Sequence, residues 1–286
     1  MTAEDQRGRP ESSGAARQTI LVTGATDGLG RALATELAHE GAKVLLHGRD
    51  DARGQQAVEE IRARTESESL SWYRADFASL EEVRELARRV EAEHDRLDVL
   101  VNNAGIGTTL PGDGARMESR DGHELRFAVN YLAPFLLTRL LRPLVLRSAP
   151  ARIVNVSSAG QAPIDFGDVM LEAGYDGVQA YCQSKLAQVM FTFDLAEELR
   201  DEGVTVNCLH PATYMPTKMV RAAGARPVSS LEEGAAATLR LVTDPALDGV
   251  TGRYFDRTRE ARAQRQAYDR DARRRLRELS ERLARL

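Results

Sequence analysis

The sequence contains little cysteine and little net charge. Its 286 residues include two cysteines, Cys182 and Cys208, which are too few for a disulfide framework and are typical of a reducing compartment such as the cytoplasm. A formal net charge of −4 lacks the basic excess that nucleic acid binding requires. Residues 1–18 are polar without an apolar core, so we expect a disordered tail there and not a signal peptide.

Long apolar runs and metal-ligand clusters are also missing from the sequence. No apolar run approaches the ~18 residues that a membrane span needs, so we expect no span. No group of histidine, cysteine and acidic residues has the spacing of a metal site, and His210 beside Pro211 is interpreted as structural. The expected class is a soluble, cytoplasmic protein that acts on a small molecule.

From Thr19 onward, short apolar runs alternate with longer amphipathic stretches. This alternation predicts an α/β fold in one domain, residues 19–256, with a doubly wound parallel sheet of seven strands and helices on both faces. Strand candidates lie near residues 20–22, 44–46, 70–73, 99–101, 153–156, 204–206 and 253–255. Helix candidates are residues 30–39, 52–64, 80–93, 127–147, 181–200 and 231–242. In such sheets ligands bind beyond the carboxyl ends of the strands.

Residues 257–286 form an extension of a different character. They contain eleven arginines and five acidic residues. A basic helix is predicted from about Asp269, with Leu276, Leu279 and Leu283 in one apolar stripe. The pattern favours a helix packed on its own domain or on a neighbouring subunit, and it leaves open a role at a membrane surface or with an anionic partner.

A glycine-rich turn separates the first strand from the first helix. Glycines let the backbone approach a pyrophosphate, and the helix N-terminus offers unpaired N–H groups and positive potential. Glycines alone also mark ordinary tight turns, but on the first strand of an alternating chain they predict a dinucleotide site of the Rossmann type. The turn consists of Thr23, Gly24, Ala25, Thr26, Asp27, Gly28, Leu29 and Gly30.

Tyr181 and Lys185 lie four residues apart, which places them on the same face of a helix. A free tyrosine has a pKa of about 10, and a nearby ammonium would stabilise the phenolate and lower that pKa. The same spacing occurs by chance on many helices, and serine pairs such as Ser157 and Ser158 are common N-caps. Next to a dinucleotide site, such a pair indicates acid–base chemistry on a substrate bound beside the dinucleotide.

The order and spacing of these motifs resemble the short-chain dehydrogenase/reductase family over residues 19–256. Three residues separate Gly24 from Gly28, whereas the extended branch of the family, which includes sugar epimerases, has a two-residue gap and a longer chain. The gap of 23 residues from Ser158 to Tyr181, with its insert at residues 161–179, is similar to the retinol-dehydrogenase-like branch.

The resemblance implies NADP(H) as the cofactor. Gly48 occupies the position where NAD-dependent relatives have an acid that would repel a 2′-phosphate, and Arg49 beside it can clamp that phosphate. Taken alone, Arg49 is equally compatible with a surface arginine, and Asp50 with a helix N-cap. The other implied cofactor contacts are Asp76 and Phe77 at the adenine, Asn103, Ala104 and Gly105 of the Asn-Asn-Ala-Gly turn that starts at Asn102, Tyr181, Lys185, Pro211, and Thr213 or Thr217.

The resemblance also implies hydride transfer between a nicotinamide and a carbonyl or alcohol carbon, with four catalytic residues. Tyr181 would exchange a proton with the substrate oxygen, and Ser158, in preference to Ser157, would hold that oxygen as charge develops. Lys185 would donate to the nicotinamide ribose, and Asn130 would support a water chain from the lysine to solvent.

The segment after Pro211 is the expected substrate region. Ala212 stands where most relatives have glycine, so the local backbone geometry is an open question. Met215, Met219 and Val220 predict a lid and a hydrophobic alcohol or ketone as substrate, although a packed loop would have the same composition.

Two further expectations concern activity and assembly. A catalytically silent NADP-binding regulator or scaffold is the alternative function, and retention of Ser158, Tyr181 and Lys185 argues against it. Family members often pair through long helices like those that begin near Phe127 and Tyr181, so the resemblance implies a homo-oligomer.

Overall fold

A computed structural model describes residues 15–109 and 115–286. Within them, eight strands form one sheet in the order β3-β2-β1-β4-β5-β6-β7-β8. All neighbouring strands pair in parallel except β7 and β8, which are antiparallel. The strands are β1 (Thr19–Val22), β2 (Lys43–Gly48), β3 (Leu70–Arg74), β4 (Val99–Asn102), β5 (Ala151–Val156), β6 (Val204–His210), β7 (Tyr254–Asp256) and β8 (Arg259–Glu260).

The predicted doubly wound sheet is confirmed, with one strand more than the seven expected. The additional strand, β8, has two residues, which is too short to show the alternation by which a strand is recognised in sequence. Most of the predicted tail lies outside the described residues. Its last part contacts the sheet, because Ala15 is buried and the Gln18 carbonyl accepts a hydrogen bond from the Lys43 N–H at 2.8 Å.

Helices cover both faces of the sheet. One apolar core lies under α1, α2 and α8, and a second lies under α3, α5, α6 and α9. Side-chain caps fix several helix starts; the Asp50 carboxylate, for example, accepts from the Arg53 N–H at the start of α2. The helices are α1 (Gly28–His39), α2 (Asp51–Thr65), α3 (Leu80–Glu93), α4 (Leu125–Phe127), α5 (Ala133–Arg147), α6 (Gly177–Glu198), α7 (Lys218–Ala222), α8 (Leu231–Thr243) and α9 (Arg270–Leu283).

A π-helical segment, Ala128–Leu132, joins α4 to α5. Together they make a continuous helix, Leu125–Arg147, the one helix of the described residues that is long and apolar enough to cross a membrane. Of its most apolar window, 67 % is buried within the fold. The high hydropathy of this helix is therefore explained by its burial within the fold. The search of the sequence for long apolar runs had not identified this helix.

The C-terminal helix α9 packs on its own domain. Leu276 is 1 % exposed, and Leu279 and Leu283 pack against the same core as α6. The Ser280 hydroxyl bonds to that of Tyr131 at 2.7 Å, and the Arg273 guanidinium donates to Glu197 at 2.8 Å. The apolar stripe of α9 is thus used inside the fold, and only its basic face is exposed.

Candidate active site

Two glycines of the glycine-rich turn are required by close backbone contact. Gly24 has a φ of +67°, and a Cβ there would lie 2.8 Å from the Ala104 Cα. A Cβ on Gly30 would lie 2.2 Å from the Gly24 carbonyl oxygen. The Asp27 carboxylate caps α1 by accepting from the Gly28 N–H at 2.8 Å. The turn is therefore packed tightly and leads directly into a helix N-terminus, as a pyrophosphate site requires.

Thr23 and Asn103 lock this turn to the loop after β4. The Thr23 hydroxyl is fully buried and accepts from the N–H groups of Asn103 and Ala104 at 2.9 and 3.0 Å. The Asn103 amide donates to the Thr23 carbonyl at 2.8 Å. Asn102 ties β4 to β5 through Asn155 at 2.8 Å. Thr23 and both asparagine side chains thus position the two loops, and the exposed backbone of the loops is left for a ligand.

Arg49 follows β2 directly and is exposed. Among the described residues, no carboxylate lies within ion-pair distance of it. Arg53, in the first turn of α2, donates to Asp27 at 3.1 Å. It therefore places a guanidinium group beside the glycine-rich turn, whereas the sequence analysis had singled out only Arg49. The position of Arg53 in the first turn of the helix after β2 is the signal that could have indicated it.

His47 is a positioning residue that the sequence analysis did not consider. Its Nδ1 accepts from the Gly24 N–H at 3.3 Å, and its Nε2 donates to the Ala75 carbonyl at 3.0 Å. Its ring stacks on Phe77 with centroids 4.4 Å apart. Burial lowers the pKa of His47 to about 4, so the ring is neutral and Nδ1 can accept. Phe77 is buried beneath the site, which leaves only its backbone for the predicted adenine contact.

Asp76, the other predicted adenine contact, is partly engaged by the protein. Its Oδ1 accepts from the Ala78 N–H at 3.0 Å, and Arg120 lies 3.8 Å from Oδ2. Its carboxylate keeps a quarter of its surface, 25 %, in solvent. The side chain is thus held in place at the edge of the site with room for a further donor.

Tyr181 and Lys185 project from the same side of α6, as predicted. The Lys185 Nζ lies 5.8 Å from the centre of the Tyr181 ring. It donates to the Val156 carbonyl at 3.0 Å and to Gln188 Oε1 at 2.9 Å. A Cβ on Gly105 would lie 3.6 Å from this Nζ. The lysine therefore joins the end of β5 to the turn after β4, where the dinucleotide is expected.

The expected lowering of the tyrosine pKa is not what the structure shows. Burial raises the pKa of Tyr181, and a hydrogen bond between the Ser158 and Tyr181 hydroxyls opposes this rise. Burial also lowers the pKa of Lys185 to about 7. The physical reason is burial of the phenol, which is not offset by the lysine because Nζ donates to Val156 and Gln188 instead. The phenol is consequently held in its protonated form at neutral pH.

Ser158, and not Ser157, faces the tyrosine. A Cβ on Gly160 would lie 3.5 Å from the Ser158 Oγ and 3.8 Å from the Tyr181 Cε1, so these two side chains flank the same point. The Ser157 hydroxyl is buried and donates to the Lys185 carbonyl at 2.8 Å. Ser157 therefore stabilises α6 against β5, and Ser158 is the serine available to a substrate oxygen.

Asn130 lies in the π-helical segment, with its side chain fully engaged. Its Oδ1 accepts from the Ile106 N–H at 2.7 Å, and its Nδ2 donates to the Ile106 carbonyl at 3.1 Å and to Ser184 at 3.0 Å. π-helical turns are frequent at functional sites because they displace one residue from the regular helix. Asn130 thus fixes the loop after Gly105 against α6, next to the lysine.

The segment after β6 does not need a glycine at position 212. Ala212 is buried with an ordinary φ, and the left-handed residue is instead Tyr214, with a φ of +46°. Pro211 is buried, and the Thr213 hydroxyl bonds to His210 Nε2 at 3.1 Å. His210 therefore has a structural partner, in agreement with its interpretation from the sequence.

The predicted lid lies across the glycine-rich turn. Thr217 packs over Gly28, and the Lys218 ammonium lies 2.9 Å from the Asp27 carboxylate. Met219 packs on Gly107, in the loop after β4. The lid thus bridges the two loops that surround the predicted cofactor position, with Met219 against the loop after β4 and Met215 against Gly234 of α8.

Arg126 and Glu124 form a buried ion pair that the sequence analysis missed. It lies between the loop after β4 and the insert. Arg126 is 3 % exposed and donates to the carbonyl groups of Gly107 and Thr108 at 2.8 and 2.6 Å. It also bonds to Tyr175 in the insert, and Tyr175 in turn donates to Glu124 at 3.0 Å. This network joins the loop after β4 to the insert. Arginine on a helix gives no sequence signal that it will be buried.

Comparisons with known proteins agree with this architecture. A family model described as short chain dehydrogenase matches residues 18–227. Over 277 residues the chain is 39 % identical to Retinol dehydrogenase 13 of Mus musculus, covering 91 % of this chain and 81 % of that protein. The chain therefore belongs to the short-chain dehydrogenase family of oxidoreductases. Within this family it belongs to the retinol-dehydrogenase-like branch.

Solved structures give the same result. A protein of Mycobacterium Paratuberculosis, 30 % identical, superposes with a TM-score of 0.77 over 94 % of each chain. A short-chain dehydrogenase of Shigella flexneri complexed with NADP is also 30 % identical, with a TM-score of 0.67 over 86 % of this chain and 99 % of that one. The doubly wound fold and a nicotinamide cofactor are thus supported by relatives of known structure.

Proposed function

We propose that the protein is an NADP(H)-dependent oxidoreductase that transfers a hydride between the nicotinamide and a carbonyl or alcohol carbon of a hydrophobic small molecule. The observation that carries this proposal is the placement of the Lys185 Nζ, 3.6 Å from where a Cβ of Gly105 would be, on the same helix face as Tyr181. That placement brings the acid–base pair to the turn where the dinucleotide binds.

The side chains of the site divide the chemistry among them. Bound NADP(H) supplies or accepts the hydride. In reduction, Tyr181 gives its proton to the carbonyl oxygen, and the raised pKa keeps that proton on the phenol until it is needed. Ser158 donates to the same oxygen as negative charge develops on it. In its charged form Lys185 places a positive charge beside the pair, and with two donors used by Val156 and Gln188 it has an N–H left for the ribose. Oxidation of an alcohol is the reverse.

The preference for NADP(H) over NAD(H) is proposed from Arg49 and Arg53. Arg49 follows β2 and is exposed, the Arg53 guanidinium lies at the Asp27 carboxylate of the glycine-rich turn, and a related structure was solved with NADP. We expect Arg49→Ala to raise the KM for NADPH by roughly 10- to 100-fold, because a charge-assisted hydrogen bond contributes about 1.5–3 kcal/mol. The KM for NADH should change by less than about threefold, since NADH has no 2′-phosphate.

The matched control is Arg64→Ala, an exposed arginine at the far end of α2. Steady-state kinetics with both cofactors should show no change for this variant. If Arg49→Ala raised the KM for NADPH and NADH equally, or changed neither KM, Arg49 would not bind the 2′-phosphate.

The substrate class is proposed to be apolar and to include alcohols of the kind named in its relatives. Met219 of the lid packs on the loop after β4, and Val178 at the start of α6 is exposed beside the insert. Retinol dehydrogenase 13 is by name an enzyme of retinol. A panel of hydrophobic aldehydes, ketones and alcohols that includes retinal and retinol, with NADPH consumption or formation as the readout, tests this assignment.

Three other expectations stay predictions: a cytoplasmic location, assembly into a homo-oligomer, and the alternative function of a catalytically silent NADP-binding regulator or scaffold. For the homo-oligomer, α9 covers part of α6 and would therefore take part in any subunit contact made through α6. Binding of NADPH without turnover of any compound in the panel would favour the regulator.

A further inference from the structure

The Lys185 ammonium has a partner on its own helix, the side chain of Gln188. The carboxamide oxygen accepts from Nζ at 2.9 Å, and the Val156 carbonyl accepts from the same nitrogen at 3.0 Å. Lys185 is 4 % exposed and Gln188 is 2 % exposed. The contact is therefore made inside the protein, where a hydrogen bond to a charged group is stronger than in water.

The two acceptors determine the direction of the third N–H group. An ammonium has three donors in a tetrahedral arrangement and no acceptor. With one donor fixed by Val156 and one by Gln188, the third cannot turn freely. The surface of Gly105 lies nearby, since a Cβ there would be 3.6 Å from Nζ. Gln188 thus helps to aim the remaining donor at the crevice that the cofactor is proposed to fill.

The surroundings of Lys185 contain no formal charge that could replace Gln188. The groups that face it are the Val156 carbonyl from β5, the Tyr181 ring and the Gln188 amide on α6, and Gly105 with the nearby Asn130 amide on the opposite side. Among the described residues, no carboxylate lies within ion-pair distance of Nζ. Hydrogen-bond acceptors are therefore what oppose the cost of burying this charge.

One polar atom of the Gln188 amide is buried at a cost in free energy. Its Nε2 is buried without a hydrogen-bond partner among the described residues. Exchanging the oxygen and nitrogen would place an NH₂ group against a donor-only ammonium, so the lysine fixes the orientation of the amide. An unpaired buried donor costs about 1–3 kcal/mol and calls for a compensating role.

We propose that Gln188 is a positioning residue for the reaction, whose carboxamide oxygen orients the Lys185 ammonium towards the cofactor and stabilises its charged form. This inference rests on the proposed function, which places Lys185 in the active site. Gln188 acts through the lysine and touches neither substrate nor cofactor.

The sequence offers a direct way to test this role, because it contains only three lysines, Lys43, Lys185 and Lys218. In full-length protein labelled with ¹³Cε-lysine, NMR should resolve three signals, and the exposed Lys43 and Lys218 serve as internal references. We expect the Lys185 signal of the wild type to titrate at about 7, as burial of its ammonium lowers its pKa.

Two substitutions of Gln188 should shift this titration in opposite directions. Gln188→Met keeps the size and removes the acceptor, so the Lys185 midpoint should fall by about one pH unit. Gln188→Glu places a carboxylate at the ammonium, so the midpoint should rise by about one unit or more. The matched control is Gln183→Met, a buried amide of α6 that bonds to Val169 and Asp165 of the insert. It should leave the Lys185 midpoint unchanged.

An unchanged Lys185 midpoint in Gln188→Met would overturn the inference, and this variant decides the question even where Gln188→Glu does not fold. The pH profile of kcat/KM should move with the same sign as the NMR midpoint, whereas a merely structural role would lower activity without moving it. The titration does not depend on turnover. A fully active Tyr181→Phe variant would therefore contradict the proposed function while leaving the NMR result intact.

Discussion

Replacement of Tyr181 by phenylalanine should reduce turnover by ~10³-fold or more while NADPH still binds. The substitution removes one hydroxyl, and with it the phenol that flanks the same point as the Ser158 hydroxyl. General acid–base groups of this kind contribute about 10²- to 10⁴-fold to rate. The ring remains to pack against Lys185, so the fold and the cofactor site should be preserved.

The measurement combines kcat at saturating NADPH with the Kd of NADPH from its fluorescence. Tyr268→Phe is a suitable control, because Tyr268 is an exposed tyrosine near α9, remote from the lysine, and should keep kcat within about twofold. If Tyr181→Phe retained wild-type kcat, the phenol could not be the proton donor, and a different group would have to act on the substrate oxygen.

Removal of residues 258–286 should leave a protein that does not fold stably. The apolar side of α9 covers Tyr131, Phe135 and Phe191, and Leu276 lies in the same cluster. The segment before α9 also supports the insert near the active site, because Gln264 and Gln266 bond to Gln161 and Ile164 at 2.9 and 2.7 Å. The truncation would expose large aromatic side chains and release the insert at the same time.

A point variant measures the same contact in a protein that still folds. We expect Leu276→Ala to lower the free energy of unfolding by about 2–4 kcal/mol, since it leaves a cavity under a fully buried side chain. Arg274→Ala, on the exposed face of the same helix, should change it by less than about 0.5 kcal/mol. Denaturant titration provides both values. A truncated protein with unchanged melting temperature and activity would show that α9 is independent of the domain.

The sequence predicted the sheet and the glycine-rich turn because both depend on local patterns. Short runs of mainly apolar, β-branched residues appear where a strand is buried on both faces, as at residues 20–22 of β1. Gly24 and Gly30 are required by backbone contacts within that turn and its neighbour. The helix carrying Tyr181 and Lys185 was predicted from spacing alone, and the structure begins it earlier, at Gly177, because Asp176 caps it.

The interactions that join distant segments could not be read from the sequence. His47 links Gly24 to Ala75, and Arg126 links the loop after β4 to the insert. Each is a polar residue whose burial depends on partners about 20 to 50 positions away in the chain. The ammonium of Lys185 likewise depends on a distant partner, the Val156 carbonyl, and on Gln188 on its own helix; these two acceptors explain why it does not contact the phenol directly.

The most direct test of the account follows the hydride itself. Wild-type protein incubated with NADPH deuterated at nicotinamide C4 and with an accepted carbonyl substrate should yield an alcohol that carries deuterium on the former carbonyl carbon. Mass spectrometry would detect it, with transfer from one face of the nicotinamide only. If NADPH bound but kept its deuterium with every aldehyde and ketone of the panel, the claim that this site transfers hydride would be contradicted.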